Sequence, residues 1–437
     1  MGSYLSVNDA DRKIMLDRLG VSSVMDLYRD VPQDLILDKP LDLPDGKAEM
    51  QVGRIMKELA AENRVYGTVF RGAGAYRHYI PAIVDQVAAK ETFLTAYTPY
   101  QAEISQGVLQ SIFEYQTMIC ELTGMDVSNA SVYDGATAAA EAAAMCRDRK
   151  RRTVIVSETV NPEVLAVMKT YSWASDNEIV TVPEKDGVTD MDELLAAVGD
   201  GTAAVYIQSP NYFGCIEDLE AAAGIAHAKN AKLIAGVDPI AQAILKTPYE
   251  CGADIAVGEG QPLGLPLSYG GPYLGFMACT KDMMRKLPGR IVGQTADAKG
   301  NTAYVLTLQA REQHIRREKA SSNICSNEAL CALRAAVYMA AMGREGIREA
   351  ARQCVSKAHY LQEKLAEAGF ERKYGSEFFH EFVTACPQDP EAVMKVLSDN
   401  GILGGLVLEG KDILWCATEM NTKEEIDRTA ALLKEAF

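Results

Sequence analysis

The chain has 437 residues, 48% of them hydrophobic, and a formal net charge of −16. That is ample apolar material for a large core, and chains beyond ~250–300 residues usually divide into more than one domain. The acidic balance argues against nucleic acid and anionic membranes, which need concentrated Lys and Arg, and leaves small substrates and protein partners. No apolar run reaches the ~20 residues needed to span a membrane. The N-terminus, MGSYLSVNDADRK, lacks the basic stretch and apolar centre of a signal peptide, so a cytoplasmic protein is expected. Ten cysteines are scattered without Cys-x-x-Cys spacing or neighbouring histidines, which reads as free thiols in a reducing compartment and predicts no metal site.

Three regions follow in chain order. Residues 1–60 alternate short helical patterns with the Pro/Asp-rich stretch Asp38–Gly46, a composition suited to an arm lying on something else. Residues 61–325 alternate strand and helix signals. The expected strands are Thr153–Ser157, Glu178–Val182, Ala203–Gln208, Leu233–Val237, Ile255–Gly258 and Gly275–Cys279, short continuous apolar runs of the kind that are covered on both faces. The expected helices are Ala136–Asp148, Asp190–Val198 (with Asp190 and Glu193 spaced as a capping box) and Leu219–Lys229. Such alternation predicts an α/β domain with a mainly parallel sheet. Residues 326–437 read as a smaller α+β domain. Its helices are Asn327–Met342, Ala351–Ala368 and Glu391–Ser398, and its strands are Phe382–Cys386, Leu403–Leu408 and Ile413–Cys416. A last helix is capped by Thr422 and Glu425.

Five blocks carry a family resemblance: Leu94–Gly107, Tyr115–Gly124, Gly258–Gly271, Pro288–Gly293 and Arg311–Cys325. They resemble the glycine decarboxylase family, the P-protein of the glycine cleavage system, over essentially the whole chain. More narrowly, the chain looks like subunit 1, equivalent to the N-terminal half of the long single-chain enzymes. The resemblance implies an aspartate-aminotransferase-like, pyridoxal-phosphate fold type I architecture with a seven-stranded-type sheet. It implies an α2β2 complex with a homologous subunit 2 that carries the cofactor. The reaction implied is decarboxylation of glycine in glycine catabolism, with transfer of the aminomethyl group to the lipoyl group of the H-protein. Two other readings stand beside it: a non-catalytic scaffold or regulatory subunit of that complex, and a stand-alone pyridoxal-phosphate enzyme with an unorthodox lysine.

A pyridoxal-phosphate site needs a phosphate cup, a stacked ring, a carboxylate on the pyridine nitrogen and a Schiff-base lysine. Asp134-Gly135-Ala136-Thr137 opens the Ala-rich helix, where Gly135 and Thr137 offer N–H groups to a phosphate; an ordinary helix cap is the alternative. Asp238 ends an apolar run and is either a pyridinium partner, vestigial or shared, or a cap for the next turn. By the family pattern the stacking position falls near Asn161, where active chains carry histidine, and the lysine position falls at Leu263. No lysine occurs between Lys246 and Lys281. Leucine offers no amine for a Schiff base. Tyr97, Tyr100, Gln101 and Glu103 crowd one irregular segment and are candidates for completing the partner's site, packing at the interface being the other reading. Gly270 and Gly271 are candidates for reaching the partner's cofactor phosphate, or form a plain turn. Arg311, Arg316, Arg317 and Lys319 concentrate positive charge that suits a carboxylate, a phosphate or the H-protein, or else pairs with Glu312 and Glu318. Arg71-Gly72-Ala73-Gly74 lacks the third glycine of a dinucleotide loop, Arg77 standing there, and is not read as one.

Overall fold

The computed structural model describes residues 6–37, 39, 41–97, 99–309, 313–320 and 322–437. The chain forms two compact units, Met1–Arg64 and Val65–Phe437. The first unit holds helices α1 (Asp9–Leu19) and α2 (Glu49–Ala61). Asn8 and Asp11 close a capping box at the start of α1, and Gly20 ends it in the left-handed conformation. Neither helix has a buried residue.

The second unit is organised by a seven-stranded sheet. Its strands in chain order are β1 (Val127–Ser128), β2 (Thr153–Ser157), β3 (Glu178–Val182), β4 (Thr202–Ser209), β5 (Lys232–Val237), β6 (Ile255–Glu259) and β7 (Gly275–Cys279). The spatial order is β1-β7-β6-β5-β4-β2-β3. From β3 across to β6 all neighbours are parallel, and β7 runs antiparallel to both β6 and β1. The six strands expected from apolar runs are all present; the two-residue β1 is too short to leave a signal.

Continuous apolar runs work here because successive side chains face opposite cores. Val154, Val156, Ala204 and Tyr206 join a cluster with helix α4 (Gly135–Cys146) and Met168 of α5 (Pro162–Ala174). Ile155, Val205 and Ile207 face the other way, toward Tyr115 and Ile119 of α3 (Gln106–Thr123) and Ala222 and Ala226 of α6 (Leu219–Ala228). The result is a helix–sheet–helix sandwich. A hairpin, β8 (Ile291–Ala296) with β9 (Thr302–Thr307), follows the sheet; the sequence reading had no strand there.

Helix α7 (Ala329–Glu367) was expected as two helices, and its backbone does leave helical geometry at Gly343, where φ is 61°. Its first half packs in the large core through Tyr338 and Met339, and its second half meets the small sheet's core through Leu361 and Leu365. That sheet consists of β10 (Glu381–Thr384), β11 (Leu406–Val407) and β12 (Ile413–Cys416), backed by α8 (Pro390–Asp399) and α9 (Lys423–Ala436). The Thr422–Glu425 capping box forms in full. At Asp190 only half of the box forms, with Asp190 accepting from the Asp192 and Glu193 N–H groups.

One polar side chain stands out in the large core. Glu141 on α4 is 3% exposed among alanines. Burial pushes its carboxyl up to about 7, against a hydrogen bond from Ser322. The folded chain therefore takes up a proton that the unfolded chain releases near pH 4.5, and stability falls as pH rises from there to about 7. Glu141→Gln removes this loss. It should raise the unfolding midpoint above pH 7, by on the order of 1–3 kcal/mol in stability, and have little effect near the ordinary carboxylate range. Thermal melts of both proteins across pH test this, and parallel curves would refute it.

Candidate functional site

The parallel strands β2, β4, β5 and β6 end on one edge of the sheet, the edge at which such sheets bind ligands. Residues 71–79 run across this edge. Gln261 brackets Tyr76, accepting from its N–H at 2.8 Å and donating to its carbonyl at 2.9 Å. Glu381 accepts from the Ala73 N–H (2.6 Å) and the Tyr76 hydroxyl (2.7 Å). Glu419 bonds His78 Nδ1 (2.8 Å) and accepts from the Tyr79 N–H (2.6 Å). Cys354 Sγ lies 3.4 Å from Glu419 Oε2, the oxygen that bonds His78. The segment Arg71–Gly74, not read as a dinucleotide loop, thus becomes part of this edge. Gly74, at φ 109°, lets it pass: a Cβ there would meet Asn161 Nδ2 at 2.7 Å.

Burial pushes the Glu381 carboxyl up to about 7, the bonds from Ala73 and Tyr76 opposing it. The Tyr76 hydroxyl is driven well upward by burial and by the neighbouring Glu381. His380, edge-on to Tyr76 at 4.3 Å, is held well below the usual imidazole range by burial and then by His78. Both of its ring nitrogens lack a partner among the described residues.

The residues expected to hold a cofactor are engaged with the protein itself. Thr137 N–H bonds the Asp134 side chain at 2.7 Å, and Gly135 N–H bonds Glu259 Oε2 at 3.0 Å. The start of α4 therefore already carries two carboxylates. Asp238 accepts from the Ile240 and Ala241 N–H groups at 2.9 and 2.8 Å; burial raises its carboxyl in spite of these bonds. Asn161 caps α5 through the Glu163 N–H, bonds Gln208 through its own N–H, and points its amide nitrogen at the Ala73 carbonyl. Leu263 is fully buried in the large core, and the side chain of this segment that meets the sheet edge is Gln261. With no lysine from 247 to 280, these residues do not fit pyridoxal phosphate.

The other candidates lie outward. Tyr97 is 95% exposed, and Gln101 and Glu103 are exposed on the following turn. Tyr100 is fixed, its hydroxyl donating to Asn327 Oδ1 at 2.5 Å while the Arg290 guanidinium lies 3.7 Å over its ring. Gly270 and Gly271 sit at positive φ in an exposed turn, after Ser268 and Tyr269 in the left-handed region. Both segments touch the chain around the start of α7, where Asn327 holds Tyr100 and Cys331 Sγ contacts the Pro272 carbonyl at 4.0 Å. Arg316, Arg317 and Lys319 are exposed on two short helical turns, and Arg311 lies outside the described residues. Sequence reasoning missed Glu259, Gln261, Glu381 and Glu419. The first two stood in plain view in the Gly258–Gly271 block.

The family model of the glycine cleavage system P-protein matches residues 2–433. The probable glycine dehydrogenase (decarboxylating) subunit 1 of Carboxydothermus hydrogenoformans is 50% identical over 427 residues, 96% of each chain. The same-named chain of Bacillus subtilis is 47% identical, covering 99% of this chain and 98% of that one. A crystal structure of glycine decarboxylase (P-protein) of the glycine cleavage system, in inhibitor-bound form, superposes with a TM-score of 0.93 at 43% identity, covering all of both chains. An alanine–glyoxylate aminotransferase from Nostoc sp. shares the fold at a TM-score of 0.60 and 16% identity, over 92% of this chain and 98% of that one. The chain belongs to the glycine cleavage system P-protein family and has the pyridoxal-phosphate fold type I.

Proposed function

We propose that this chain is subunit 1 of a two-chain glycine dehydrogenase (decarboxylating), in which it completes a site whose cofactor is held by subunit 2. One observation carries the division of labour. In a chain half identical to subunits of that name, the helix start that would receive a phosphate is filled by Glu259 and Asp134, and the nearby sequence offers no lysine. Pyridoxal phosphate, when bound, supplies an electron sink for loss of carbon dioxide from glycine. On this reading it does so on the partner, in an α2β2 assembly in the cytoplasm, and the aminomethyl group passes to the lipoyl group of the H-protein.

This chain's own part is positioning. Tyr100, held between Arg290 and Asn327, anchors the turn that presents Tyr97, Gln101 and Glu103 outward. Gln101 supplies a donor and Glu103 an acid or acceptor toward the partner's substrate. The turn at Gly270 and Gly271 offers backbone N–H groups to the partner's cofactor phosphate. The exposed Arg316, Arg317 and Lys319 face an acidic partner, for which the H-protein is the candidate.

Glycine–bicarbonate exchange, assayed with lipoylated H-protein, should be absent from this chain alone, absent or weak with subunit 2 alone, and full with both. Activity from this chain alone would end the reading. The purified chain mixed with pyridoxal phosphate should show no lysine-bound absorbance band and no trapping by borohydride. Within the assembled complex, Glu103→Gln and Gln101→Ala should each lower exchange by ~10²-fold or more without changing assembly, as removal of one donor or acid from a reacting centre does. Unchanged turnover would instead favour a scaffold.

A further inference from the structure

Glu259 ends β6, and its carboxylate accepts three backbone N–H groups: Gly135 at 3.0 Å on Oε2, and Gln261 and Leu274 each at 2.9 Å on Oε1. These belong to three places in the chain. Gly135 is the first residue of α4, Gln261 opens the loop that leaves β6, and Leu274 closes that loop just before β7. The Gly260 N–H also bonds the Leu274 carbonyl, so the two ends of the loop are joined directly as well. Between these ends the chain runs out to an exposed tip. Ser268 (φ 44°) and Tyr269 (φ 54°) are in the left-handed region there, and Tyr269 is 97% exposed. Left-handed geometry at two successive non-glycine residues costs free energy and persists only where the surroundings hold it.

The close approach at the base depends on Gly135. A Cβ on it would stand 2.8 Å from the Glu259 N atom and 2.9 Å from its Cβ. A helix start with open N–H groups favours an anion, and three buried N–H donors left without a partner would each be costly. Burial pushes the Glu259 carboxyl up to about 7, with Asp134 adding to the rise and the three N–H bonds opposing it. The chain thus keeps a carboxylate in a confined place because those donors require one.

We infer that Glu259 is a positioning residue: its carboxylate is an internal substitute for a bound anion at the start of α4, and by clamping both ends of loop 260–274 it sets the aim of Tyr269, Gly270 and Gly271 toward the partner subunit. The second half of this inference rests on the proposed shared site; the first half does not.

The test separates the two halves. With the chain alone, Glu259→Ala should melt at a lower temperature than wild type in sodium chloride. Sodium formate at equal ionic strength, a free carboxylate that fits the vacated space, should recover most of the loss, while leaving wild type unmoved. Gly135→Ala keeps the carboxylate but blocks its approach, and should lower the melt without a formate response. If formate fails to restore Glu259→Ala, the substitute-anion role falls. In the complex with subunit 2, Glu259→Ala should lower kcat for glycine–bicarbonate exchange on the order of tenfold or more, leave KM for glycine within about threefold, and regain kcat with formate, as a displaced positioning loop would. Tyr269→Ala, which leaves the clamp intact, should lower kcat by a similar factor. If Tyr269→Ala is fully active, its side chain takes no part in a shared site and the aim assigned to Tyr269 is wrong. If Tyr269→Ala is impaired and Glu259→Ala is not, the positioning role of Glu259 is wrong and the shared site stands.

Discussion

Strands of a parallel sheet stop at one edge and leave their last N–H groups, and those of the helices that begin beside them, pointing into the same crevice. Such donors must be satisfied, and water or a ligand is the common solution. Here the chain supplies its own acceptors. Asp134 and Glu259 take the first N–H groups of α4, Asp238 those after β5, Glu381 that of Ala73, Glu419 that of Tyr79. Glu217, buried between β4 and α6, does the same for Thr189, with Thr159 and Asn211 donating to it as well. The sheet edge is stitched together by carboxylates.

That stitching has an energetic signature. Burial raises Glu217, Glu259 and Glu381 above the ordinary carboxylate range even as the N–H bonds work in the other direction. A carboxylate kept in such a place costs free energy as a charge and stabilises through the donors it satisfies. What results is an edge whose backbone donors are met by the chain's own carboxylates, while the ring nitrogens of buried His380 stay without a partner among the described residues. On the proposed division of labour, a subunit whose sheet edge is occupied by its own carboxylates contributes through its outer surface. The two outward segments that carry the proposed contribution, Tyr97–Glu103 and the Gly270–Gly271 turn, converge on the start of α7 although they are far apart in sequence.

Much of this was legible beforehand. The runs TVIVS, EIVTV and GFMAC read directly as doubly covered strands, because a strand with two apolar cores has no polar face to interrupt it. Thr422 with Glu425 identified the last helix by a local hydrogen-bond pattern that needs no tertiary partner. The missing lysine was visible by simple inspection. The break in α7 was legible too, since the two expected helices part just before Gly343; what the sequence did not show is that the second half starts directly after it.

The sequence by itself determined the fold class, the membership that five irregular blocks implied, and the lack of any lysine between Lys246 and Lys281, since each depends on residue identity or on short-range periodicity. Only the tertiary structure decided what fills the place where a cofactor is expected. Glu259 meets Gly135 across 124 positions, Gln261 meets Tyr76 across 185, and Glu381 meets Ala73 across 308. Contacts of that span leave no local pattern, because a buried glutamate and a surface glutamate are the same letter until the chain is folded. Likewise Arg71–Gly74, a glycine-rich stretch with no motif of its own, acquires its role only because Asn161 and Glu381 are brought against it.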